Sequence, residues 1–278
     1  QLKVIANNIE KKIKSELVKL MKDDREKYQQ FWTAFGMQFK YALMNAYGQN
    51  RDTIRDLLLF WSSKENKLTS LKEYVDRMPE SQEKIYYVCA DSVEHASKMP
   101  QAERVLKAGY EVLYLTVDED EIVLQMLENA YDKPFVSVAS EDALPVTDAE
   151  KASVEQAEKD HKALLDFAQE TLKGEVSKVR ISKILQSGAV CLTAEGPVSL
   201  EMEKYFRKMR RDFPMSAQRV LELNPDAPAF QALCKAYEED KEKAAAYVEV
   251  LYNQALIIAD LPLPDPARYA ELVCGLMK

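Results

Sequence analysis

Two histidines, four cysteines and one dense run of acids are the side chains here whose types and spacing could support chemistry. His95 and His161 fall on separate helical segments, and neither has a second His or Cys at the spacing of a zinc or iron site. His95 is expected on a helix covering a sheet, exposed or simply packed. The run Asp118-Glu119-Asp120-Glu121 could hold a divalent cation, which would make the chain a small metal-dependent α/β enzyme. It lacks the Asx spacing and glycine of a calcium loop. It also opens a helix, where free N–H groups and the N-terminal partial charge favour acids, so helix capping is the preferred reading. Cys89, Cys191, Cys234 and Cys274 form no CxxC pair and are expected to be reduced thiols, mostly buried, in the cytosol. No GxSxG, Walker-type or GxGxxG pattern occurs. The expectation is a chain with no catalytic residue, metal or cofactor of its own.

The stronger signals are apolar. In Lys241–Ala259, the residues Val248, Leu251, Tyr252, Ala255, Ile258 and Ala259 repeat with coiled-coil spacing. Tyr269, Leu272, Val273 and Leu276 do the same on the next helix. Such a pair either packs on its own domain or meets a second copy in a four-helix bundle with two-fold symmetry. Pattern alone leaves both open. The segment Val198–Met209 is the second signal. Ser199 is a natural N-cap, and Met202, Phe206 and Met209 fall on one side with Tyr205 nearby, followed by Arg207, Lys208, Arg210 and Arg211. It is either an ordinary core face or an adaptable surface, since methionines beside aromatics suit varied partners.

These features must be positioned by about two domains, the number 278 residues can form. Hydrophobic residues make up 47% and charged residues 30%, which suits folded domains, and 7 Gly with 11 Pro favours long helices over a β-sandwich. A net charge of −8 argues against general nucleic-acid binding, and no apolar run is long enough to span a membrane. The lysines at 11, 12, 14, 19 and 22 alternate with acids as a solvated helix face. One amphipathic helix is expected to about residue 22, with Ile5, Ile9, Ile13, Leu17 and Leu20 on its stripe. A second follows the cap Asp23-Asp24 and carries Tyr28, Phe31, Trp32, Phe35 and Phe39. A short helix over Thr53–Phe60 and an extended polar stretch over Ser62–Ser70 complete the helical part. Strands at Ile85–Cys89, Tyr110–Leu115 and Phe135–Val138 alternate with helices at Ser92–Ala108 and Glu119–Ala130, which predicts a small, mainly parallel three-layer α/β unit. Residues 140–150 read as a junction. Beyond it come a long helix to Lys173, strands at Val179–Ile184, Ala189–Ala194 and Val220–Leu223, and helices at Ala227–Glu238, Lys241–Ala259 and Pro266–Met277.

Several motifs carry a resemblance. Ser70-Leu71-Lys72-Glu73-Tyr74-Val75-Asp76-Arg77-Met78 with Gln82-Glu83-Lys84-Ile85-Tyr86-Tyr87 closely resembles the middle segment of the ninety-kilodalton heat-shock chaperones, its bacterial branch in particular. Lys27-Tyr28, Phe31-Trp32 and Phe35, the strand Tyr110–Leu115, Lys133-Pro134-Phe135-Val136-Ser137-Val138 and Leu221-Glu222-Leu223-Asn224-Pro225 extend it over essentially the whole chain. The resemblance implies a cytoplasmic, homodimeric, ATP-driven clamp that remodels partly folded clients, with co-chaperones as further partners. Opening on Gln1 without Met, the chain looks like a piece of such a protein, with ATP and magnesium bound by a domain outside it and no ATPase activity of its own. Residues 1–145 would be the later part of the middle domain (helices to 60, the α/β unit over 61–140). Residues 146–278 would be an α+β dimerisation domain whose terminal helices form the dimer bundle through Val248, Leu251, Tyr252, Ala255, Ile258, Tyr269, Leu272, Val273 and Leu276. The resemblance also makes Val198, Leu200, Met202, Tyr205, Phe206 and Met209 client-contacting, with a second client patch at Glu121, Ile122 and Gln125.

Overall fold

The computed structural model describes residues 2–209 and 216–277; Gln1, Arg210 and Arg211, named above, lie outside the described residues. The chain packs into two compact units. One joins the residues up to Cys89 with Tyr110–Val136; the other joins Ala90–Gly109 with the residues from Ser137 onward. The architecture is mixed α+β. Among the described residues no helix is long and apolar enough to cross a membrane.

The first unit begins with α1 (Leu2–Asp23) and α2 (Arg25–Asn45), separated at Asp24, whose carboxylate accepts the Lys27 N–H at 3.1 Å. Only the lower part of the α1 stripe is packed: Leu17, Leu20 and Met21 meet the core, while Ile5, Ile9 and Ile13 are exposed. On α2, Tyr28 and Trp32 are buried, and Phe35 faces outward.

The helix expected over Thr53–Phe60 is cut short. After α3 (Arg51–Ile54) and a 3₁₀ turn, Leu58 turns extended and the chain becomes β1 (Leu59–Ser62), which hairpins into β2 (Lys67–Ser70). Pairing outweighs local preference here, because β1 is hydrogen-bonded on both sides, to β2 and to a later strand. Next come α4 (Leu71–Arg77), β3 (Ile85–Cys89), α5 (Val93–Ala96), α6 (Glu103–Lys107), β4 (Val112–Leu115), α7 (Asp120–Leu127), β5 (Asn129–Ala130) and β6 (Lys133–Ser137). The sheet order is β2-β1-β4-β3-β6-β5. β3 and β4 are parallel, but β1 runs antiparallel to both β2 and β4, and β5 runs antiparallel to β6. The sheet is therefore mixed rather than mainly parallel, because the polar stretch Ser62–Ser70 hides a hairpin.

The Ser70–Met78 motif has a physical reason. Ser70 and Glu73 form a reciprocal capping box that starts α4, and Arg25 clamps Glu73 at 2.9 Å. Buried Tyr74 is a hub. Its hydroxyl donates to the Glu111 carbonyl at 2.6 Å and accepts from the Tyr86 N–H at 3.1 Å and the Gln82 amide at 3.0 Å. The buried Glu111 carboxylate in turn takes Arg77 at 2.7 Å and Ser62 at 2.6 Å, satisfying charge and hydrogen bonds together.

In the second unit the single helix expected over Ser92–Ala108 is broken into α5, a 3₁₀ turn at Pro100–Ala102, and α6. Pro100 has no N–H to continue a helix and drives Met99 to extended backbone. The long helix is likewise two, α8 (Asp148–Asp160) and α9 (Lys162–Thr171), parted at His161. Then follow β7 (Lys178–Ile181), β8 (Val190–Glu195), α10 (Leu200–Met209), β9 (Gln218–Leu223), α11 (Pro228–Glu239), α12 (Lys241–Ile258) and α13 (Pro266–Gly275). β9 lies between its partners, parallel to β7 and antiparallel to β8. α9, α11 and α12 bury their apolar faces with this sheet in one core.

The turn after β7 is fastened to α6. Glu103 accepts both the Ser187 N–H, at 3.0 Å, and its hydroxyl, at 2.7 Å, and pairs with Lys107 at 2.7 Å. At Gly188 any Cβ would sit 2.8 Å from Pro100, so the close approach requires glycine. The Lys107 and Ser187 contacts hold the Glu103 carboxyl down at about 2, against an ordinary 4.5. A depressed carboxyl stabilises the fold above its unfolded value and loses that contribution as pH falls toward its folded value. Glu103→Gln should therefore unfold at lower urea than the parent at pH 7, with the gap closing as pH drops below 4.5. An equal gap at pH 7 and at pH 3.5 would refute this role.

Candidate functional site

α10 begins where Ser199 accepts the Met202 N–H at 3.0 Å. Its position is set from beneath by Glu203, a carboxylate only 2% exposed. Glu203 takes the Ala217 N–H at 2.9 Å and the Arg219 guanidinium at 2.8 Å, and pairs with Arg207 one turn on. Arg219 also donates to the Tyr252 hydroxyl at 3.0 Å, which donates to Glu175 at 3.2 Å. A buried charge is tolerable only when so fully partnered, so this chain of contacts fixes α10 over β9 and α12. Above that anchor, Val198 is buried. Leu200, Met202, Tyr205 and Phe206 are half-buried, with the Tyr205 and Phe206 rings edge to face at 5.5 Å. Met209 is 64% exposed, beside exposed Arg207 and Lys208. The face is thus graded, tight at its start and open at its end.

The terminal helices divide differently from the sequence expectation. Val248, Leu251, Tyr252 and Ala255 are buried in the unit's own core, against the sheet and α9. Side chains so buried in their own protomer offer little apolar area to a partner. Ile258 is half-buried against the same core. α13, capped by Asp265, rests on α12 through Leu272 and an Arg268–Glu249 pair at 3.3 Å. Tyr269 and Val273 are half-exposed, and Leu276, Met277 and Ile257 are exposed. Ile257 and Met277 were missed because they fall off the coiled-coil spacing.

The four acids at 118–121 do not converge. Asp118 and Glu119 lie in the turn before α7, while Asp120 and Glu121 open the helix and are buried. Glu119 accepts the Tyr41 hydroxyl at 3.2 Å, buried Glu121 accepts the Tyr87 hydroxyl at 3.1 Å, and buried Asp120 pairs with buried Lys40 at 2.6 Å. Burial pushes the Asp120 carboxyl up, and Lys40 pulls it back down. The metal-enzyme reading of this run is not supported, whereas Asp120 and Glu121 do stand in the first turn of α7, where acids are favoured, although Glu119 at the N-cap makes no side-chain capping bond. In the same helix Ile122 is buried with Glu121, and only Gln125 faces outward. His95 is not simply packed either. It stands between Asp91 and Asp260, the latter 169 residues away from Asp91 in sequence.

Comparison with known proteins bears on all of these surfaces. The sequence profile described as Hsp90 protein matches residues 1–278. The chain is 48% identical over 277 residues to the chaperone protein HtpG of Bacillus subtilis (strain 168), a match covering 100% of this chain and 44% of that protein. It is 46% identical over 279 residues to HtpG of Clostridium botulinum (strain Langeland), and 47% identical over 277 residues to HtpG of Oceanobacillus iheyensis, again with 100% of this chain and 44% of each relative covered. The chain thus spans less than half the length of the curated relatives it matches.

Proposed function

Because the chain belongs to the Hsp90 protein family, we propose that it supplies the dimerising, client-holding part of a chaperone that works in the cytoplasm as an ATP-driven clamp. Residues 1–145 correspond to the later part of a middle domain and 146–278 to the dimerisation domain. Two copies join through Tyr269, Val273 and Leu276 on α13, with Ile258 and Leu272 at the edge of the contact. Partly folded proteins rest on Met202, Tyr205, Phe206 and Met209 of α10, backed by Val198 and Leu200, while Gln125 is what remains of a second patch. ATP and magnesium act in the whole protein.

The observation that carries the reading is the open end of α10: an exposed methionine beside an aromatic pair, on a helix whose buried anchor keeps it in place. Apolar burial is worth about 25 cal/mol per Å², offset by ordering, so so small a face binds weakly and broadly. That is the affinity a chaperone needs. Met209→Glu and Phe206→Glu should each weaken the suppression of client aggregation about tenfold, equivalent to roughly 1.4 kcal/mol, with helix content and oligomeric state unchanged. Suppression equal to the parent's in both variants would sink the assignment.

A further inference from the structure

Outside these surfaces, three ligand-bearing side chains meet in the second unit. Asp91 precedes the N-cap Ser92 of α5, and His95 is the third residue of that helix. Asp260 lies just past α12, and its carboxylate Oδ2 accepts the Asp91 N–H at 2.9 Å. Its Oδ1 is 2.8 Å from His95 Nδ1, and Asp91 Oδ1 is 3.2 Å from the same nitrogen. Among the described residues this is the one group of three or more His, Cys, Asp or Glu side chains whose ligand atoms lie together, all within 4.8 Å of one another.

A ring nitrogen carries at most one hydrogen, yet two carboxylate oxygens aim at this one. Two negative charges then face a single N–H, and the hydrogen bonds each carboxylate receives besides, from the Ser92 hydroxyl to Asp91 at 3.1 Å and from the Asp91 N–H to Asp260 at 2.9 Å, bring no positive charge between them. A divalent cation in place of that proton would serve all three groups. With metal–ligand distances of about 2.0–2.2 Å, neighbouring ligand atoms of a tetrahedral site stand roughly 3.3–3.6 Å apart, so the 2.8 Å and 3.2 Å spacings present would open by less than about 1 Å to admit the ion. We infer that Asp91, His95 and Asp260 form a divalent transition-metal site of one imidazole and two carboxylates. The donor set suits zinc, cobalt, nickel or manganese; magnesium and calcium prefer oxygen alone. Three protein ligands leave at least one position for water. The cation would cross-link the α5 segment to the end of α12 within the unit. Lys204, whose charge reaches Asp91, opposes it and limits the affinity.

Cobalt(II) is the probe, because its absorption separates nitrogen–oxygen ligation from thiolate. This matters because Cys234 lies 3.7 Å from His161 and could offer a competing pair. Calorimetric titration should show one saturable site per chain, without a thiolate band, and cobalt should raise the melting temperature. His95→Gln and Asp91→Ala should each weaken binding at least about tenfold, since losing a ligand outdoes the 10–100-fold typical of second-shell losses, and should abolish the thermal shift. Asp91 is mostly exposed, so Asp91→Ala should melt with the metal-free parent. Asp260→Asn is the third variant, because Asn tolerates the left-handed backbone there, φ 55°. No saturable binding at millimolar cobalt, or binding unchanged in Asp91→Ala and His95→Gln, overturns the site.

Discussion

Lys40→Met is expected to destabilise the first unit by about 3–5 kcal/mol, the usual cost of removing one partner from a buried ion pair. Lys40 and Asp120 are 6% and 3% exposed and 2.6 Å apart, linking α2 to the first turn of α7. The ammonium also lies 5.6 Å from the Trp32 ring and 5.8 Å from the Phe60 ring, so aromatic faces share its charge. Methionine keeps the apolar stem but strands the carboxylate away from water. Burial already pushes that carboxyl up, so the stranded acid takes a proton, which keeps the loss near the lower bound. The double variant Lys40→Met with Asp120→Leu should recover most of the stability, because a buried pair is commonly replaceable by packed apolar groups. Both tryptophans, Trp32 and Trp61, lie in this unit, so their fluorescence in urea follows its unfolding separately from the second unit. A single variant within 1 kcal/mol of the parent, or a double variant no better than the single, would show that the pair is not what holds α7.

What was legible in the sequence was whatever is decided within one turn of the chain. Asp24 and Ser92 cap their helices as their side-chain types require, and Gly109 and Gly174 take the left-handed conformation that ends a helix. The break at Pro100 was equally local and lay in plain view. What was not legible depends on partners far away in sequence. Leu59 and Phe60 suit a helix end as well as a strand, and only the ladders to β2 and β4 decide for the strand. The acids at 118–121 look alike in sequence, but Lys40, Tyr41 and Tyr87 draw them apart. Asp91 and His95 are a turn apart and unremarkable until Asp260 arrives. The apolar stripe of α12 was correctly periodic, yet periodicity names a face and never the body that covers it.

That ambiguity gives the dimer its sharpest test. Val273→Asp with Leu276→Asp should convert dimers to monomers while leaving each protomer folded. Both side chains keep exposed surface in the protomer, so the charges remain solvated in the monomer and are penalised only when a second copy covers them. Two-fold symmetry places every substitution in the interface twice. At about 1–3 kcal/mol for each poorly solvated polar group, the dissociation constant should rise by at least about a thousandfold. Leu251→Asp should behave in the opposite way. Leu251 packs in the core shared by α9, α12 and the three-stranded sheet, so a charge there unfolds the second unit instead of parting two intact copies. Light scattering at fixed concentration, with circular dichroism on the same samples, distinguishes folded monomers from unfolded chains. A double variant that stays dimeric, or a Leu251→Asp protein that is folded and monomeric, would return the interface from α13 to the buried stripe of α12.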